Sequence, residues 1–427
     1  MLEVALRADA PAVTVPAAPP ETPSRHCSRR AFTLWLIPWA LLLAAGAFAC
    51  LQCLVDGLHH TNMDNRYVFG LWIFLDLTVI ALGAGAFTSG LLAYVFHWKE
   101  VRAVLHLAVL TGLLCYGGAV AILMVDVGQP LRAWFTFWHP NVHSMLAEVT
   151  FCLTCYLIVL AVEFVPILTR HRRLRSTPGV AVVGSRVHRG MVVLAVLGAT
   201  LSFFHQGSLG GLYGVLQGRP FAFREELWIF PTTFFLFVLS AMAIGPAFLV
   251  LIARVFEIVT RRLLVPRATI DRLARLSGTL LLVYLALKAV DTLVWLNTTV
   301  PDSGLQPAWL YRQPPFGSWV LVAEFLVLGL VPALLLRRAA HQSRAMITWA
   351  AVLGCAGIAL NRLVATLQTL ILPSLPFEDT WAYVPNWQEN VAFAGVIALA
   401  VIVLSLAHRA DLLFGRHPEL ESSASER

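Results

Sequence analysis

Ten apolar runs decide what this chain can become. They lie at about 31–55, 68–96, 103–127, 142–168, 190–216, 228–253, 273–298, 317–336, 345–372 and 389–408. Each reaches the ~20 residues that cross a hydrocarbon core about 30 Å thick. Lipid offers no partner to backbone polar groups, so each run is predicted to be a helix. Composition agrees: 58% of residues are hydrophobic and 13% charged, where soluble domains carry about 25% charged. The predicted fold is all-α and polytopic. Residues 31–412 form the membrane domain, and 1–30 and 413–427 are tails. The first 24 residues are rich in Ala, Pro and Thr without periodicity, the signature of disorder.

The net charge of +7 is explained by its position along the chain. The N-terminus, the C-terminus and the loops near 97–102, 170–189, 254–275 and 337–344 carry twenty-four Lys and Arg; the alternate loops carry five. That asymmetry sets orientation, with both termini cytoplasmic in a bacterial inner membrane. Arg29 and Arg30 then anchor the first helix. The run behind them is too long for a signal-peptide core. Cys50/Cys53 and Cys152/Cys155 have CxxC spacing, but both pairs fall inside apolar helices and read as small apolar residues.

The informative residues are the polar ones inside the runs, because an ionisable group in lipid is costly unless paired or working. At 1.5 Å per residue, Asp76, Asp126, Glu148, His205, Asp291 and Glu324 fall in the half of the bilayer opposite the basic loops, with Arg362 near the midplane. Only Glu163, toward the inner side, and Lys288, at the midplane, depart clearly. The bias predicts an outward-facing polar zone. Arg362 demands a partner there: either Asp291 or Glu324 in a structural pair, or a role in a quinone or proton path.

The densest stretch is Val125–Phe151, VDVGQPLRAWFTFWHPNVHSMLAEVTF. It holds Asp126, Arg132, His139, Asn141, His143, Ser144 and Glu148. Asn141, Ser144 and Glu148 have i, i+3, i+7 spacing, which puts them on one face of a helix. Such a face is either a stripe satisfying neighbouring backbone or a wall lining a ligand. Quinone chemistry, which moves two electrons and two protons, needs donors at each carbonyl and a proton relay; His, Asn and carboxylates supply both. Two other readings stay open. His139, His143 and His205 allow a b-type haem, and midplane acids allow a proton- or ion-coupled transporter.

The ordered pieces GLWIFLDL around Asp76, VDVG at Asp126, NVHSMLAEVTFCLTCYLIVLAVEF from Asn141, HQGSLGGL from His205, NRL at Arg362 and YVPNWQE from Tyr383 resemble the NrfD/PsrC polysulfide-reductase membrane subunits. The resemblance is strongest to their long HybB-like branch, the membrane subunit of a periplasmic nickel–iron hydrogenase. It implies ten helices with two central four-helix bundles, helices 2–5 and 6–9. It implies a haem-free subunit with a quinone site (menaquinone or ubiquinone) near the periplasmic side. Its partners would be a periplasmic ferredoxin-like iron–sulfur subunit and a catalytic subunit. Carried over by motif, Asp76, Glu148 and His205 would protonate the quinone. Asn141, Ser144 and Gln206 would help bind it, with His143, Asp126 and Arg362 as further candidates.

Overall fold

The computed structural model describes residues 27–414, apart from 66, 142, 170, 172–173, 175–176, 215–225, 228–229, 303–305, 307, 309–310, 313–316, 368–369 and 371–381. Both predicted tails therefore lie almost wholly outside the described residues. Among the described residues, ten helices are long and apolar enough to cross a membrane: α1 Arg29–Asp56, α2 Leu71–Val95, α3 Lys99–Asp126, α4 Met145–Leu168, α5 Met191–Tyr213, α6 Thr233–Thr260, α7 Arg267–Thr298, α8 Trp319–Arg337, α9 Arg344–Leu367 and α10 Trp387–Arg409. All ten predicted runs are present. The main shift is at α6 and α7, which extend into the basic stretch 254–275 and leave only residues 261–266 as a turn. Glu257 explains the extension. Buried in the last turns of α6, it pairs with Arg254 and with Arg344 of α9, and it accepts the Leu264 and Val265 N–H groups at 3.0 and 3.1 Å. Among the described residues, strand pairing is confined to Glu226–Leu227 against Phe230–Pro231.

Helices α2–α5 pack in a ring, α2 on α3, α3 on α4, α4 on α5, and α5 back on α2; α6–α9 form a second ring in the same way. These are the two predicted four-helix bundles. They meet where α6 packs on α2 and α5 and where α9 packs on α2. Small residues allow that approach: a Cβ on Gly245 of α6 would lie 2.3 Å from the Gly85 nitrogen of α2. In the HQGSLGG segment of α5, Gly210 allows an equally close approach: a Cβ there would lie 2.3 Å from the Thr233 carbonyl. Helices α1 and α10 pair with each other and lean on α2 and α3. At the basic end, Arg272 of α7 bonds Glu100 of α3 at 2.5 Å and ties the bundles together.

Helix α8 is wound as a π-helix from Val322 to Leu330. Pro332 lacks the N–H that an α-turn would direct to Leu328. The Leu328 carbonyl instead lies so close to α9 that a Cβ on Gly357 would come within 2.4 Å of it. The wide turn places Glu324 on the buried side of α8.

A candidate site in two buried clusters

The first cluster lies inside the α2–α5 bundle. Asp76 points inward from the second turn of α2, 4% exposed, and its Oδ1 has no hydrogen-bond partner among the described residues. It stands close enough to Asp126, at the end of α3, for the two carboxyls to interact electrostatically. His205 of α5 is wholly buried; the Val149 backbone carbonyl approaches one ring nitrogen, and the other has no hydrogen-bond partner among the described residues. Its ring lies 5.8 Å from that of Tyr116 on α3. Tyr116 shares a 2.8 Å hydrogen bond with Ser202, and the next residue along α5 from the histidine, Gln206, donates to the Ile80 carbonyl at 3.1 Å and to Tyr116 at 3.4 Å. Tyr156 of α4 packs edge-on against Tyr116 at 4.6 Å. The cluster therefore contains a fixed scaffold of Gln206, Tyr116 and Ser202, with two groups, Asp76 and His205, still offering unused polar atoms.

The second cluster fills the α6–α9 bundle. Lys288 of α7 forms an ion pair with Glu324 of α8. Asn361 of α9 donates to Glu324 at 2.7 Å, and its own oxygen accepts from Arg362 at 2.8 Å. Arg362 also donates to Ser240 of α6 at 2.7 Å and lies 3.8 Å over the Phe237 ring. The expected direct pairing of Arg362 with Asp291 or Glu324 gives way to contact with Glu324 through Asn361. The carboxylate is already neutralised by Lys288, so the guanidinium takes neutral oxygens and an aromatic face. Asp291 is buried one turn along α7 from Lys288. Phe237, the ring under Arg362, stacks at 6.3 Å on Tyr213 of α5. The predicted common polar zone is thus two clusters, one per bundle.

The stretch from Asn141 to Glu148 departs from expectation. Helix α4 begins at Met145, so Asn141, Ser144 and Glu148 do not share a helical face. Asn141 forms a turn instead: its side-chain oxygen accepts from the His143 N–H and its carbonyl from the Ser144 N–H, both at 3.0 Å. Short polar side chains compete with helix in this way just before a helix start. Asn141, His139 and His143 are exposed; Ser144 and Glu148 are half-buried. Glu148 is one residue before Val149, whose backbone lies beside the His205 ring. Glu163 is buried near the other end of α4.

Sequence reasoning passed over Glu389. It is wholly buried at the start of α10, where it accepts from Tyr383, from the Asn62 N–H at 3.0 Å and from the Asn386 N–H at 3.0 Å. With Asn386 it forms a capping box. The signal was legible as Asn386-x-x-Glu389 before an apolar run. Burial, then the hydrogen bond donated to Glu389, push the Tyr383 phenol above its ordinary range, so it remains a donor. Tyr116, Tyr156 and Ser240 were also missed; nothing in an apolar run distinguishes a working Tyr or Ser from a packed one.

Ten apolar helices enclosing two buried polar clusters define a multi-pass integral membrane protein. Its chain belongs to the NrfD polysulphide reductase family, whose model matches residues 59–372. It is 44% identical over 402 residues to the integral membrane subunit of a menaquinone reductase from Nitratidesulfovibrio vulgaris, covering 92% of this chain and 95% of that protein. It is 21% identical over 428 residues to a subunit of the selenate reductase of Mesobacillus selenatarsenatis, covering 91% of this chain and 96% of that protein. Similarity to a probable Ni/Fe-hydrogenase 2 b-type cytochrome subunit of Escherichia coli, at 30% identity, covers 36% of this chain and 38% of that protein.

Proposed function

We propose that this chain is the haem-free, quinone-reactive membrane subunit of a respiratory oxidoreductase complex, and that the quinone is handled by the α2–α5 cluster. One observation carries the reading: Asp76 and His205 are buried in one bundle, and Asp76 Oδ1 and the His205 ring nitrogen turned away from the Val149 carbonyl have no partner among the described residues. Leaving such atoms unpaired is costly, and a ligand that bonds them removes the cost. A neutral imidazole offers one N–H, and a protonated carboxyl one O–H. These match the two carbonyl oxygens of a quinone, which takes up two electrons and two protons on reduction. Gln206, Tyr116 and Ser202 hold the bundle in register. Asp126 and Glu148 stand near the end opposite the basic loops and exchange the protons there.

Menaquinone is the quinone favoured, following the name of the 44%-identical relative. The electrons come from a ferredoxin-like iron–sulfur subunit on the periplasmic face, fed by a catalytic subunit; both termini are cytoplasmic in the inner membrane. Leu131, Trp134 and Trp138, exposed between α3 and α4, give such a partner an apolar surface at that end. The breadth of the match to the reductase subunit favours a reductase over a hydrogenase partner. His139 and His143 are exposed while His205 is buried, which favours the haem-free reading over a cytochrome.

Purifying the tagged chain with its native complex tests the proposal. An iron–sulfur protein should copurify, and the complex should reduce a naphthoquinone analogue without a Soret band at stoichiometric haem. Asp76→Asn and His205→Ala should each lower turnover about a hundredfold, the scale of lost acid–base assistance, with the complex still assembled. Undiminished turnover in both variants would contradict the placement of the site.

A further inference from the structure

A separate cavity of about 440 Å³ opens at the basic end of the molecule, between the ends of α7 and α8 and the turn that follows α8. Arg275, Arg337, Arg338 and His341 line it, with Leu334 and Ala340. Its shape follows from packing: a Cβ on Gly278 of α7 would lie 2.3 Å from the Arg337 nitrogen, so the two helices approach closely one turn inside the basic cluster. The turn is held by Arg267, which donates to the Ala339 and Gln342 carbonyls at 2.9 and 2.6 Å.

The charge in this cavity is uncompensated among the described residues. Asp271 is the near carboxylate on α7, and it pairs with Arg267 at 2.8 Å. Among the described residues the Arg275 side chain bonds the Asp271 backbone carbonyl, at 3.3 Å. None of Arg275, Arg337 and Arg338 has a carboxylate within ion-pair distance among the described residues. Other cations at this end are satisfied: Arg272 by Glu100, and Arg254 and Arg344 by Glu257. Three exposed arginines therefore line one cavity without a counter-charge among the described residues, and the planar fork of Arg matches phosphate oxygens.

The surface beyond the cavity is apolar. On α7, Val283, Leu287 and Val290 are 46–60% exposed; on α8, Val327, Val331 and Leu334 are 40–46% exposed. At helical spacing from Arg275 on α7, and through Leu334 and Val331 from Arg338 on α8, this surface runs from the cavity toward the middle of the membrane. A soluble phosphate would use the guanidiniums alone. A phospholipid would use both features.

We propose that this cavity binds the headgroup phosphate of an anionic membrane phospholipid, with Arg275, Arg337 and Arg338 on the phosphate and the acyl chains along the exposed strip of α7 and α8. Basic pockets between membrane helices on the cytoplasmic side suit such headgroups. The bound lipid would brace the two helices that carry Lys288 and Glu324.

The full chain, reconstituted into vesicles of phosphatidylethanolamine, phosphatidylglycerol and cardiolipin and then extracted mildly, should retain an anionic lipid in native mass spectrometry in preference to phosphatidylethanolamine. Arg275→Gln/Arg337→Gln/Arg338→Gln should reduce that retention at least about tenfold, since each basic residue near an anionic surface contributes roughly fivefold. Arg261→Gln/Arg262→Gln, equally basic but outside the cavity, should retain the lipid as the parent does. If the triple variant does not fold, Arg275→Gln and Arg338→Gln singly should each weaken retention. Equal retention by parent and cavity variants overturns the proposal. So does retention without preference for anionic lipid, or displacement of the lipid by millimolar inorganic phosphate, which would make the ligand a soluble anion.

Discussion

Lys288 of α7 and Glu324 of α8 pair inside the second bundle with side chains 2% and 5% exposed. Burying two charges is expensive, and removing one leaves the other uncompensated at a cost of about 3–5 kcal/mol. Glu324→Gln and Lys288→Met should each lower the thermal inactivation midpoint markedly. The double variant should be more stable than Glu324→Gln alone, because the ammonium that has lost Glu324 is removed with it. Thermal scans of the four proteins in one detergent close the cycle. A double variant as unstable as the sum of the singles would count against the pair.

Glu389 and Asn386 clamp the first loop, α2 and the start of α10. Asn386→Ala removes the cap, a loss of about 1 kcal/mol. Glu389→Ala should cost more, since the Tyr383 hydroxyl and the Asn62 and Asn386 N–H groups lose their acceptor together. Hydrogen exchange should quicken at Asn62 and the first turn of α10 in Glu389→Ala while the centre of α6 remains protected.

The bundles touch through glycine. Gly245→Leu would drive a side chain into the backbone of α2 near Gly85, beyond the about 1–3 kcal/mol usual for an overpacked core. It should abolish recovery of folded protein. The substitution Val290→Leu, on an exposed face of α7, should be neutral, as size-exclusion profiles from matched preparations would show.

The charge asymmetry predicts that Cys27, exposed just before α1, faces the cytoplasm. A membrane-impermeant maleimide should label it in inverted vesicles and spare it in intact spheroplasts. The reverse pattern would invert the orientation and with it the side assigned to the iron–sulfur partner.

The helices were legible because hydrophobic length in lipid admits one local structure. The two bundles came with the resemblance, and the packing of α2 on α6 agrees with it. Depth was legible too: Asp76, His205 and Glu324 could be ranked along their helices by counting. What depth could not supply was azimuth and partners. Depth alone merges into one outer zone what the helices divide between two bundles. Arg362 was assigned a carboxylate because charge is the first partner a sequence suggests, and Ser240 carries no mark of its role. The face through Asn141 fails because short polar residues such as Asn141 and Ser144, just ahead of a helix, also describe a turn.

The most direct measurement is photo-crosslinking of the purified complex with an azido-naphthoquinone, mapped by peptide mass spectrometry. Adducts are expected on α2, α3 and α5 near Asp76, Tyr116 and His205, suppressed by excess menaquinone. Adducts confined to α7, α8 and α9 around Lys288, Glu324 and Arg362 would contradict it and move the quinone to the other bundle.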